Sequence, residues 1–125
     1  MRYRSDLEPG AEISTTPVSQ EVRDAANVGN GKTGVVFLYI SRNAMSAGSA
    51  TFEILTAADQ SAPDLTTNSG WGSAGSTAVT FGTVGLVRFE IGVTSATRMG
   101  QWMRWKVTGA NAAIQFAMVV FLADT

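Results

Sequence analysis

A chain of 125 residues fits one compact domain and leaves no room for two. Nine basic and ten acidic residues give a formal net charge of −1, so no global field favours nucleic acid or an anionic membrane. The absence of cysteine and histidine excludes disulfides, thiolate metal sites and the usual general base.

The first residues, MRYRSDLEPGAEIS, lack the apolar core of a signal peptide, and no apolar run is long enough to cross a bilayer. The expectation is a soluble chain not exported by that route. Residues 1–30 read as an N-terminal arm or peripheral segment, and 31–125 as the folded domain. Helix signals are thin. PVSQEVRDAAN (17–27) has Pro17 at a possible start and Val18, Val22 and Ala25 or Ala26 at helical spacing. Val18, Gln20, Val22 and Asp24 could equally alternate along a strand.

ANVGNGKT (26–33) matches the relaxed form of a phosphate-binding loop, with Lys32 and Thr33 in the phosphate and metal positions. Such a loop works because a helix begins immediately after it and brings its N-terminal dipole to the anion. Here VVFLYI (35–40) follows, rich in β-branched and aromatic residues, and predicts a strand. A turn before a strand is therefore the better reading of Asn30, Gly31 and Gly34.

Period-two patterns continue along the chain. In ATFEIL (50–55), Phe52 and Ile54 alternate with Thr51 and Glu53. In VRFEIGV (87–93), Val87, Phe89, Ile91 and Val93 share one face and Arg88 and Glu90 the other. QWMRWKVTG (101–109) sets Met103, Trp105 and Val107 against Trp102, Arg104, Lys106 and Thr108. AAIQFAMVVFLA (112–123) sets Ile114, Phe116, Met118, Val120 and Leu122 against Gln115, Ala117, Val119, Phe121 and Ala123, which suits a central strand with a covered outer face. Gly109, Ala110 and Asn111 read as a hairpin connection. The prediction is an all-β, antiparallel β-sandwich.

Catalytic chemistry finds little support. Glu53 and Glu90 lie on polar strand faces, and Asp59 and Asp64 read as turn residues rather than a calcium loop. The lysines, Lys32 and Lys106, do not stand three residues after a serine. No catalytic, cofactor or metal residue is assigned, and no enzyme activity is expected.

The contact candidates are aromatic and basic. Trp102, Arg104 and Lys106 share one strand face, which could stack on sugars or bases; alternatively Trp102 packs under a neighbouring segment and Arg104 pairs with a carboxylate such as Glu90. Trp71 stands in TTNSGWGSAGSTA (66–78), read as a flexible polar loop, where it either meets a partner or tucks back onto its own sandwich. Tyr3 and Arg4 mark an arm that could add a strand to a neighbour.

AMSAGSATFEILTAADQSAPDLT, followed by GQWMRWKVTGANAAIQFAMVVFLAD, resembles the small jelly-roll capsid cement and decoration proteins of tailed bacteriophages, especially the Bordetella-phage type. The resemblance covers roughly residues 30–125. In that family an alternating strand ends in a Thr-x-x-Asp-like turn, an arginine-containing strand reaches a Val-Thr-Gly turn, and a last alternating strand closes the chain. It implies a jelly-roll fold, a homo-oligomer that is most often a trimer, binding to a lattice of major capsid protein on the virion exterior, and no catalytic residues. The loop at 66–78 departs from the pattern. A carbohydrate-binding sandwich, with Trp71 or Trp102 as the stacking platform, is the alternative function.

Overall fold

A computed structural model describes residues 2–4, 11–13, 26–27, 33–57, 71–94, 97–109 and 112–123. They form nine strands: β1 (Arg2–Arg4), β2 (Ala11–Ile13), β3 (Ala26–Asn27), β4 (Thr33–Asn43), β5 (Ser49–Ala57), β6 (Gly72–Thr80), β7 (Gly85–Ile91), β8 (Trp102–Thr108) and β9 (Ile114–Ala123). All the pairings are antiparallel and fall into two sheets. The first has the order β7, β4, β9, with β1 and β2 both on the far side of β9. The second runs β3, β8, β5, β6.

The sandwich forms because each long strand carries its apolar residues at period two and so has one face that must leave water. From the first sheet Val36, Leu38, Ile40, Phe89, Ile91, Ile114, Phe116, Met118, Val120 and Leu122 are buried. The second sheet contributes Ala50, Phe52, Ile54, Ala74, Val79, Met103, Trp105 and Val107 to the same core. Phe116 joins the two layers. Its ring meets Phe52 at 5.0 Å and Trp105 at 5.6 Å, both edge to face, the geometry that aromatic quadrupoles favour.

The connection at 109–111 is not a hairpin. β8 pairs with β3 and β5, whereas β9 pairs with β4, β1 and β2, so the chain crosses from one sheet to the other. Two consecutive strands that each bury a large apolar face gain more by facing one another than by lying side by side. Gly109 makes the crossing possible: its φ is +82°, and a Cβ there would stand 2.9 Å from the Ser49 carbonyl oxygen.

Two further expectations change, and one reading left open is narrowed. The polar stretch 66–78 is partly strand, because β6 takes residues from Gly72 onward and pairs with β5 along its length. An edge strand needs few apolar residues, and β6 buries only Ala74 and Val79. Val93 does not continue the buried face of β7; Gly92, at φ +71°, ends the strand and Val93 is exposed. Within the helix candidate, Ala26 and Asn27 are extended and pair with Met103 and Trp102, and residues 17–25 lie outside the described set. Thr33 opens a strand and not a helix, so the phosphate-loop geometry is missing there.

One edge of the sandwich is drawn together. The Gly92 amide donates to the Ala74 carbonyl at 3.0 Å, which links the end of β7 to β6 across the two sheets. Gly75 sits so close to β7 that a Cβ would collide with the Glu90 carbonyl oxygen. At the other end Asn43 donates through Nδ2 to the carbonyls of Thr80 and Thr83, both at 3.2 Å, and anchors the β6–β7 turn to β4.

Candidate functional surfaces

Of the sequence-predicted contact residues, Trp102, Arg104 and Lys106 lie on the outer face of the second sheet, with Trp71 over Arg104. The register sets Trp102 opposite Ala57, Arg104 opposite Leu55 and Lys106 opposite Glu53. Thr56 fixes the entry to β8: its hydroxyl donates to the Trp102 carbonyl at 2.9 Å and accepts the Gly100 amide at 2.7 Å. Trp102 and Lys106 are half-buried.

Arg104 is not a surface residue, contrary to expectation. It is 1% exposed, and its guanidinium carbon lies 4.2 Å from the centre of the Trp71 ring. Nor does Arg104 answer to Glu90, which belongs to the other sheet and meets Arg88 at 3.5 Å. A strand face that the sequence shows as aromatic and basic is thus capped from above by Trp71. The indole supplies the negative π-face that a desolvated guanidinium needs. Trp71 tucks onto its own sandwich and remains partly exposed. Leu55 and Ala57 are buried beside Arg104, so this end of the second sheet is packed on both faces.

Tyr3 and Arg4 belong to β1 and pair with Phe121 and Val120. The arm thus supplies strands to the β9 edge of this same chain, with β1 and β2 at the two ends of β9. Glu53 and Glu90 stand on outer faces, half-buried and exposed respectively, while Asp59 and Asp64 lie outside the described residues. Among the described residues no three acidic side chains come together as a metal site would require.

A second surface escaped the sequence reading. The outer face of the first sheet is apolar along β4 and β9, and β7 adds Leu86 beside Arg88 and Glu90 at its rim. The register aligns Phe121, Val35 and Glu90 in one row, Val119, Phe37 and Arg88 in the next, and Ala117, Tyr39 and Leu86 in a third. Tyr39 is 53% exposed and Leu86 66% exposed. Phe37 and Phe121 stand edge to face at 5.6 Å, and with Val35 and Arg88 they line an open depression of about 280 Å³. VVFLYI contained the signal, since every second residue of a continuous apolar run must point away from the core.

No family model matches the chain, and no curated protein matches it significantly.

Proposed function

We propose that the protein is a non-enzymatic structural component that associates with copies of itself and binds a protein shell, as a cement or decoration protein of a phage capsid. The observation that carries this reading is the contiguous apolar outer face of the first sheet, with Phe37, Tyr39, Leu86 and Phe121 at the surface of a sandwich whose core is already complete. Contiguous apolar surface on a folded domain marks a contact with another macromolecule. On the opposite side of the molecule, Trp71, Trp102 and Lys106 offer a second, more polar contact face. A molecule with contact surfaces on both sides suits cementing, in which one side meets a neighbour and the other the shell, and repetition supplies avidity.

The strand order supports the same reading. With β1 and β2 counted as one broken edge strand, the order of the two layers supports a jelly-roll reading, the fold that the resembled family implies. That family implies a trimer on a lattice of major capsid protein, placed on the virion exterior.

The test is co-sedimentation with empty tailed-phage shells. Wild-type protein pellets with the shell to a saturating occupancy, and Trp71→Ala combined with Trp102→Ala lowers that occupancy. Unchanged occupancy would remove both tryptophans from the contact.

Binding of a carbohydrate is the second reading, favoured by the Trp71 ring, which Arg104 holds in place while part of it stays exposed. A glycan array separates the two. Saturable binding lost with Trp71→Ala would favour the lectin, and a blank array would count against it.

A further inference from the structure

The outer face of the first sheet is complementary to itself. The row of Val120, Val36 and Phe89 points inward and divides the outward rows into two sets. On one side stand Val119, Phe37 and Arg88; on the other stand Phe121, Val35 and Glu90. A two-fold axis running across the strands through the dividing row exchanges these sets. It lays Phe37 of one copy over Val35 of the other, Val119 over Phe121, and Arg88 over Glu90. Large meets small and positive meets negative at every position.

The match continues outward. The same operation carries the third row, Ala117, Tyr39 and Leu86, onto Ala123, Thr33 and Gly92, the last lying just beyond the end of β7. The two exposed large apolar side chains of the face, Tyr39 and Leu86, are thereby set over small residues. The one cation and the one anion of these rows sit together at the β7 rim, 3.5 Å apart and both more than half exposed. A pair that exposed contributes little within one chain, so both groups can turn to a facing copy.

We propose that this face is an interface between two copies of the chain, packed sheet to sheet about that axis. Three strands about 4.8 Å apart and four outward rows about 7 Å apart give a footprint of roughly 400 Å² per copy. Stable interfaces bury about 800 Å² per partner, so the contact is weak and concentration-dependent in isolation. Such a contact joins neighbouring copies once another surface has gathered them. It does not rest on shell binding and is measured on the protein alone.

The experiment is sedimentation velocity of the full chain from micromolar to millimolar concentration, on wild type, Arg88→Glu, Glu90→Arg and the double exchange Arg88→Glu/Glu90→Arg. The wild-type mass at least doubles along the series. Each single reversal sets like charges against one another on both sides of the axis at the β7 rim and raises the dissociation constant on the order of tenfold. The double exchange restores opposite charges and recovers association. Both residues are exposed, and far-UV circular dichroism shows each variant to be folded. A wild-type mass that stays constant to millimolar concentration would overturn the proposal. So would a double exchange that associates no better than either single variant.

Discussion

Phe116 bridges the two layers. It is 1% exposed and touches Phe52 and Trp105 from the opposite sheet. Replacing it by alanine leaves a cavity between layers that cannot close without moving whole strands, and costs about 3–5 kcal/mol. Urea unfolding checks this: the midpoint falls with the slope unchanged. The inward position of Phe116 was legible, because Ile114, Phe116, Met118, Val120 and Leu122 alternate without a break. The burial of Arg104 was not. Period two places it on the face opposite Met103 and Trp105, and that face is normally solvated. Among the described residues Trp71 stands over its guanidinium, and a separation of 33 positions in sequence carries no local trace.

Strand identity was readable wherever period two ran through large side chains. β5, β7, β8 and β9 appear where the alternation places them, and β4 where the run of β-branched and aromatic residues does. β6 was missed because Gly72–Thr80 consists of small and polar residues, whose strand state comes from backbone pairing to β5 and not from their own preference. Its glycine at position 75 has a use that composition cannot show, namely the close approach to the Glu90 carbonyl of β7. Gly75→Val therefore pushes β6 away from β7 and strains the Gly92–Ala74 hydrogen bond at the closed edge. The expected loss is about 1–3 kcal/mol, the range for overpacking at a tight contact. Hydrogen exchange reads the local part of it: the Gly92 amide loses protection before the amides of β4 and β9. Equal protection in variant and wild type would show that the edge does not need the glycine. The β8–β9 connection was misread as a hairpin for a related reason. Gly109 announces a turn, but whether a turn joins neighbours in one sheet or crosses between two depends on partners far away in sequence.

At the scale of the whole molecule, the β-sandwich class followed from the number of short alternating runs and the lack of helix signals. The apolar outer face did not, because VVFLYI reads as a continuous apolar run and the last strand as having a covered outer face, with nothing local to say which strands lie side by side. Only the register, which aligns Phe121 with Val35 and Val119 with Phe37 on the outside of one sheet, shows that they form a face. That face and the Trp71 side are the two surfaces proposed to bind neighbours and the shell. The direct measurement is electron cryomicroscopy of empty shells, assembled from the major capsid protein of the genome that encodes the chain, with and without saturating protein. The account predicts added density at symmetry-related positions on the shell exterior, at an occupancy that saturates. Shells indistinguishable from bare ones at saturating concentration would contradict it.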